Sequence, residues 1–136
     1  MKVFISYSHI DRPLARKVAS ALEKSGLEVW DAEREILLGD NWAKKVAEGL
    51  EESDAMVVLL TPNALASRVV RREIEYALGE KSFNRRLIPV LVGSPETFPD
   101  NSIPWILRRL NMISLPAHGR EEEGIQQITQ ALKEVA

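Results

Sequence analysis

Ala55-Met-Val-Val-Leu-Leu60 is the stretch that decides the fold of this chain, because it is a short apolar run with no polar alternation. Such a run is typical of a strand that is buried on both faces, as in a parallel sheet. Thr61-Pro62 ends the run, and Ser67-Arg-Val-Val-Arg-Arg-Glu73 then opens a helix. We therefore predict a buried strand that is followed directly by a helix.

The same alternation extends from this stretch in both directions along the chain. The predicted strands are Lys2–Tyr7, Glu28–Trp30, Ala55–Leu60, Leu87–Val92 and Met112–Leu115. The predicted helices are Arg12–Ser25, closed by Gly26, then Asn41–Glu52, Arg68–Lys81, a short one within Pro104–Leu110, and Glu123–Val135. Because parallel strands need right-handed crossovers, this order predicts an α/β, flavodoxin-like five-stranded parallel sheet of order 2-1-3-4-5 with helices on both faces.

One carboxylate in this pattern, Glu73, has no cationic neighbour on its own helix. Residues three and four apart face each other on a helix, and for Glu73 these are Val69, Val70, Tyr76 and Ala77. In the predicted strand order, ligands bind beyond the carboxyl ends of the first and third strands. The helix that follows the third strand carries Glu73, so we expect this acid at a ligand crevice. The alternative is an ordinary solvated side chain, since carboxylates are mostly exposed.

Length and composition limit the classes of function. The 136 residues fit one domain, 1–136, and 18 basic against 20 acidic residues give a net charge of -2, which suggests neither a nucleic-acid nor a membrane partner. The chain has no cysteine, and His9 and His118 form no H-E-x-x-H motif, so we expect no metal site. No secretory signal or long apolar run is visible. We therefore expect a soluble, cytoplasmic protein.

The residues at the crevice also exclude familiar chemistries of this fold. A phosphoacceptor receiver needs an aspartate at the end of the third strand, but this strand ends in Leu60-Thr61-Pro62. A flavin mononucleotide site needs a Ser/Thr/Gly-rich loop after the first strand, and Ser8-His-Ile-Asp-Arg-Pro13 is not one. Neither G-x-G-x-x-G nor G-x-x-x-x-G-K-[ST] occurs in the chain.

Four motifs carry a resemblance to a known family. They are Phe4-Ile-Ser-Tyr-Ser-His-Ile-Asp11, then Gly26-Leu-Glu-Val-Trp30 with Gly39-Asp-Asn-Trp42, then the strand Asp54 to Leu60, and finally Ser67 to Glu73. In this order and spacing they resemble a TIR (Toll/interleukin receptor) domain of the bacterial, NAD-cleaving type. The resemblance is collinear over the whole chain, and it implies the same flavodoxin-like fold.

The resemblance also implies an activity. Many bacterial and plant members and some animal members of the family cleave NAD between nicotinamide and ribose with one glutamate in the helix after the third strand, and that position is Glu73 here. Their products are nicotinamide with ADP-ribose or a cyclic ADP-ribose isomer, and these often serve as immune or anti-phage signals. NAD is then the substrate, and no cofactor is expected. The residues that we expect around NAD are Ser8, His9, Leu38, Trp42 and Val69.

The segment Asp31 to Asn41 corresponds to the family's BB loop, which implies self-association with other TIR domains. The predicted assembly residues are Glu35, Ile36, Leu37, Leu38, Gly39 and Asp40. A loop whose leucines fold back onto the body is the alternative. The length fits both a small protein and one domain of a larger one, so a fused or partner sensor or effector domain is a further expectation.

Several residues depart from the family pattern or allow a plainer interpretation. Val69 stands where active members often carry an aromatic residue, Leu38 replaces a common proline, and Asp31 lies one place earlier than the usual aspartate, where Ala32 stands. Core packing is favoured for both Trp30 and Trp42. The basic residues Arg68, Arg71 and Arg72 are most simply a solvated helix face. Two alternative functions stay open, a non-catalytic TIR scaffold and a nucleoside deoxyribosyltransferase.

Overall fold

The computed structural model describes residues 1–79, 86–94, 96, 98, 102–110, 112–115 and 121–135. The strands are β1 (Lys2–Ser6), β2 (Glu28–Trp30), β3 (Ala55–Leu60), β4 (Leu87–Val92) and β5 (Ile113–Leu115). The helices are α1 (Arg12–Lys24), α2 (Ala32–Glu35), α3 (Trp42–Glu52), α4 (Pro62–Leu65), α5 (Arg68–Gly79), α6 (Trp105–Arg108) and α7 (Glu121–Val135). A single 3-10 turn, His9–Asp11, lies between β1 and α1.

The strands form one parallel sheet of order β2-β1-β3-β4-β5, which confirms the predicted fold class and strand order. Ser6, the last residue of β1, lies opposite Val58 of β3. Because the chain moves from β1 to β2 on one side and from β3 to β4 on the other, the loops after β1 and β3 diverge at the same edge of the sheet. This divergence opens a crevice at the carboxyl ends of β1 and β3.

Alternate residues of the strands supply two separate hydrophobic cores. Phe4 and Met56 face the layer that contains α3, α4, α5 and α6, whereas Ile5 and Val57 face α1 and α7. Successive side chains of a strand point to opposite faces, so each buried strand serves both layers. All six residues of β3 are buried, as the uninterrupted apolar run predicts.

Trp30 anchors the first of these cores. Its ring stacks on Phe4 with centroids 4.9 Å apart and planes 7° from parallel, and it is 4% exposed. On its other side Gly49 of α3 approaches so closely that a Cβ there would lie 2.3 Å from the ring. The core position predicted for Trp30 is confirmed. The same prediction is wrong for Trp42, which is 46% exposed because it stands at the first residue of α3, beyond the sheet.

The long helices match the sequence prediction to within two residues wherever the structure describes them. Gly26 closes α1 with a φ of 91°, which favours glycine, as predicted from its position. The predicted continuation of α5 to Lys81 and the residue His118 lie outside the described residues. In the part of the chain that the structure describes, no helix has the length and apolar character needed to cross a membrane.

Candidate active site

A cavity of about 400 Å³ occupies the crevice at the carboxyl ends of β1 and β3. Four of its lining residues were predicted as catalytic or NAD-binding: His9, Trp42, Val69 and Glu73. A fifth, Ile36, was predicted as an assembly residue, and five more had no predicted role in the site: Ile5, Tyr7, Ala32, Glu33 and Ser67. The cavity therefore joins the loop after β1, the segment after β2 and the first turns of α5, and its volume lies in the range of ligand pockets.

Glu73 lies at the inner end of this cavity. It is 6% exposed, so the alternative of a solvated helix residue is wrong. The helical face that contains Val70, Ile74 and Ala77 packs into the core, and it carries Glu73 inward at its edge. Leu78, the residue after Ala77, is by contrast 41% exposed.

Within the described residues, the one hydrogen bond to the side chain of Glu73 comes from Ser6. The Ser6 hydroxyl donates to Oε1 of Glu73 at 2.7 Å, and both side chains are buried. Burial raises the pKa of the Glu73 carboxyl to about 7 from an ordinary value of 4.5, and the hydrogen bond from Ser6 opposes this rise. Glu73 is therefore a carboxylate poised to titrate near neutral pH, which is unusual for a surface acid and common at functional sites.

Ser6 was not predicted as a site residue, although the sequence contains a signal for it. Ser6 follows Phe4 by two residues, so it belongs to the same face of the sheet as Phe4, the face that α5 covers. A polar side chain at such a position must find a hydrogen-bond partner. The position of Ser6 therefore predicts that it has a partner, but it does not identify Glu73 as that partner.

The loop after β1 carries two of the five residues predicted around NAD, and it places them differently. His9 lines the cavity and is exposed. Ser8 is 5% exposed and caps the following turn, where its hydroxyl oxygen accepts from Ile10 N at 3.4 Å; it is not among the lining residues. The loop is held to the end of β3, because Thr61 donates to Asp11 Oδ2 at 2.6 Å.

The segment after β2 forms another wall of the cavity, and polar contacts hold it against the rest of the domain. Tyr7 donates to Oδ1 of Asp31 at 2.5 Å, and burial together with this bond raises the pKa of the Tyr7 phenol. Asp31 is 2% exposed and also accepts from Glu33 N at 3.2 Å, so it caps α2. Glu33 in turn pairs with Arg12 of α1 at 2.8 Å and lies 3.5 Å from Arg16.

The rest of the predicted BB loop turns outward. Leu37 and Leu38 are 69% and 105% exposed, so the alternative in which both leucines fold back is wrong. Leu37 to Asp40 form a turn before α3. Asp40 N donates to Leu37 O at 3.0 Å, Leu37 N donates to Asp40 Oδ2 at 2.8 Å, and Gly39 takes a φ of 89°. Only Ile36 packs inward. Leu38 is not among the residues that line the cavity, and its predicted contact with NAD stays a prediction.

The beginning of α5 completes the cavity. Ser67 lines it and also caps the helix, since Val70 N donates to Ser67 Oγ at 3.3 Å. Val69 lies one turn before Glu73 and is 37% exposed. Arg68, Arg71 and Arg72 are exposed, as predicted, and Arg71 Nε donates to Leu65 O at 2.8 Å. Among the described residues, no group of three or more His, Cys, Asp or Glu side chains could hold a metal ion.

Comparison with protein families matches this chain to a known family model. The model of the TIR domain matches residues 3–129, which include every element from β1 to most of α7. The chain belongs to the TIR domain family. The family assignment that the four motifs indicated is thereby confirmed.

Two relatives of this TIR domain are named as enzymes. The 2' cyclic ADP-D-ribose synthase BtTIR of Bacteroides thetaiotaomicron is 28% identical over 86 residues, 62% of this chain and 30% of the relative. The NAD(+) hydrolase TcpA of a Theionarchaea archaeon is 29% identical over 93 residues, 67% of this chain and 28% of the relative. The chain thus spans less than a third of the length of either relative.

A solved structure is similar over a larger part of this TIR domain. It is a metazoan TIR-STING receptor from C. gigas in complex with 2',3'-cGAMP, with 27% identity and a TM-score of 0.78. The likeness covers 96% of this chain and 38% of that one. It therefore extends over nearly the whole sheet and its helices.

Proposed function

We propose that this TIR domain cleaves NAD at the bond between nicotinamide and ribose, with Glu73 as the catalytic carboxylate. The observation that carries the proposal is the position of Glu73, which is buried at the inner end of a cavity and whose pKa is raised to about 7. The names of two relatives, a cyclic ADP-ribose synthase and an NAD hydrolase, support the substrate class.

One acid suffices for this reaction. Nicotinamide departs as a neutral base, so it needs no proton donor, and the ribose that remains has oxocarbenium character. An ionised carboxylate that faces this ribose stabilises the developing positive charge, and it does so more strongly in a site from which water is largely excluded. Water that captures the ribose gives ADP-ribose, whereas attack by a group of the same molecule gives a cyclic isomer.

Other residues that line the cavity support NAD as the substrate. Trp42 is 46% exposed and lines the cavity, so its ring offers an apolar face to a flat base. His9 and Ser67 supply polar groups at the same cavity. The cations nearest to the Glu33 wall within the described residues are Arg12 and Arg16, and guanidinium groups suit the diphosphate of NAD.

Self-association through the turn at Leu37–Asp40 forms part of the proposal, as does a signalling role for the products in immune or anti-phage defence. The exposed Leu37 and Leu38 support the first, because two neighbouring leucines without cover favour a partner surface.

The direct experiment follows nicotinamide release from NAD by concentrated or artificially clustered protein. Wild-type protein should release nicotinamide, Glu73→Gln should not, and Glu75→Gln should behave as wild type. Glu75 is a matched control because it is an acid on the same helix but exposed and away from the cavity. A wild-type rate no higher than that of Glu73→Gln contradicts the proposal.

A non-catalytic scaffold is the second candidate, and two observations favour it: the exposed leucines of the loop and the absence of an aromatic side chain at Val69. Under this function, Glu73→Gln leaves signalling intact while Leu37→Asp abolishes assembly. A cellular signalling assay with both variants therefore separates the scaffold from the enzyme.

A further inference from the structure

We propose that Ser6 is the positioning residue of Glu73: its hydroxyl holds the carboxylate towards the cavity and favours the ionised form that cleavage of NAD requires. The inference rests on the proposed function, because the ionised form of Glu73 matters for catalysis only in that reaction. The hydrogen bond itself stands on geometry alone.

The donor is held by the sheet and not by a flexible loop. Ser6 is 1% exposed and ends β1, where it lies opposite Val58 in the parallel ladder with β3. Its hydroxyl reaches Oε1 of Glu73 at 2.7 Å across 67 residues of sequence. Because the backbone of Ser6 is fixed in this way, its hydroxyl meets the carboxylate of Glu73 at a short, well-defined distance.

The second oxygen of Glu73 has a different environment. Within the described residues, no hydrogen bond reaches Oε2 of Glu73. This atom is also not one of the polar side-chain atoms that are shielded from solvent and lack a hydrogen bond. Because Glu73 lines the cavity, Oε2 is the oxygen that a substrate would meet. Ser6 thus occupies one oxygen and leaves the other for the reaction.

Few charged groups face Glu73 from the neighbouring elements, so the hydrogen bond from Ser6 influences whether the Glu73 carboxyl is ionised. The elements packed most closely against α5 are β1, β3 and α4. Neither β3 nor α4 carries a titratable side chain, and the lysine of β1, Lys2, lies at its opposite end. On α5 the charged residues Arg68, Arg71, Arg72 and Glu75 are exposed. The cavity adds Tyr7, His9 and Glu33, with Arg12 beyond Glu33.

Two opposing effects therefore set the charge of Glu73. Burial raises its pKa, and the hydrogen bond from Ser6 lowers it. A hydroxyl donates to a carboxylate in a charge-assisted bond, which is stronger than the bond it makes with the neutral acid. Removing the hydroxyl should leave burial unopposed, so the carboxyl should hold its proton to a higher pH.

The first measurement titrates Glu73 directly, without substrate, by the pH dependence of its carboxyl carbon NMR signal in wild type and in Ser6→Ala. The expected result is an upward shift of the midpoint by about one pH unit in the variant, the size expected for loss of a hydrogen bond to a charged group. Ser53→Ala is the matched control, because Ser53 is also buried and donates one hydrogen bond, to Gly49 O at 2.6 Å, away from the cavity. It should leave the midpoint unchanged.

The second measurement is the pH profile of kcat/KM for NAD. In Ser6→Ala the midpoint of the acidic limb should move to higher pH by the same amount. The activity should then be about tenfold lower at pH 6 and partly recovered at pH 9. Ser6→Thr, which keeps the hydroxyl, should restore the wild-type limb. A role in folding alone would lower the rate at every pH without moving the limb.

The two measurements fail in different ways. An unchanged midpoint in Ser6→Ala overturns the role of Ser6, whatever the activity. A midpoint that rises in a protein that releases no nicotinamide supports the effect of Ser6 on Glu73 and contradicts the proposed function.

Discussion

The inner end of the cavity and its mouth differ in how they are held. At the inner end, Ser6 and Glu73 are buried and belong to β1 and α5, which pack directly on β3. At the mouth, Glu33 is held by ion pairs with exposed arginines, and in the turn that follows α2 Leu37 and Leu38 are exposed to solvent. The proposed catalytic group thus lies on the packed frame of the sheet, while the residues proposed to meet the substrate and partners lie on an exposed rim.

The difference has a physical reason. Burial in a closely packed region changes the free energy of a charge by several kcal/mol, so a carboxylate there acquires unusual chemistry. Ion pairs near solvent contribute about 1 kcal/mol or less, so they can exchange partners at little cost. Substitutions at the inner end should therefore change the rate of cleavage strongly, and those at the mouth should change affinity and assembly more modestly.

The largest effect is expected from Glu73→Gln, which should lower NAD cleavage by about 10³-fold and yet stabilise the fold. The pKa of Glu73 is raised from 4.5 to about 7, so the folded state favours the protonated form. The stability from that form is full below pH 4.5 and is lost as pH rises to about 7, by about 3 kcal/mol. Glutamine avoids the loss because it stays neutral.

Urea unfolding of wild type and Glu73→Gln at pH 5 and pH 8 checks this expectation. The variant should gain stability relative to wild type between the two values, and Glu75→Gln should not. A gap between wild type and Glu73→Gln that is the same at both pH values would show that Glu73 is not a buried charge at neutral pH.

In the turn that follows α2, Leu37→Asp should lower the rate of concentrated protein by about tenfold, because a charge in an apolar contact costs about 1.4 kcal/mol or more. The measurement is nicotinamide release as a function of protein concentration, together with the mass of the assembly by light scattering. Trp105→Asp is the control, since Trp105 is another exposed apolar side chain, 70% exposed, on α6. Unaltered assembly and rate in Leu37→Asp would remove this turn from the proposed interface.

Glu33→Gln should lower the KM for NAD about fivefold without changing kcat, the size expected of an exposed ion pair. The substitution removes a negative charge from the cavity wall and releases Arg12, 2.8 Å away, to meet the diphosphate. Glu23→Gln is the matched control, because Glu23 pairs with Arg34 at 3.0 Å outside the cavity. An increase in KM in Glu33→Gln would instead make Glu33 a ligand of the substrate.

The smallest effect is expected from Val69→Tyr, which should lower the KM for NAD about threefold. The new ring would stand one turn before Glu73 at a lining position that is now 37% exposed, and an aromatic stack adds about 0.5–1.5 kcal/mol. Val69→Leu adds apolar bulk without an aromatic face and should leave KM near the wild-type value. Equal KM values for the tyrosine and leucine variants would show that no flat base lies at this wall.

Much of the frame was predictable because periodicity reports burial directly. The apolar run of β3 and the helical pattern of α1 each indicate an element and the face that it buries, and the order of elements then leaves few topologies. The short helix α2, the 3-10 turn at His9–Asp11 and α4 were not predicted. They are too short for a period, and capping by Asp31, Ser8 and Thr61 defines them.

The candidate site was predicted in part. Glu73 was found because the switch point of the sheet and the lack of a cation on its helix point to the same residue. Tyr7, Glu33 and Ser6 were missed because each is placed by a contact across a long stretch of sequence, to Asp31, Arg12 and Glu73. Nothing in the local pattern of a side chain states which distant group it will meet.

The sequence by itself determined the parallel sheet, its order and the edge at which a ligand would bind, because hydrophobic period and chain order are written along the chain. Only the tertiary structure decided that Glu73 is buried against Ser6, that Trp42 is exposed at the cavity and that Leu37 and Leu38 face solvent. Each of these depends on which distant surfaces meet, and burial, which sets the pKa of Glu73, exists only once they have met.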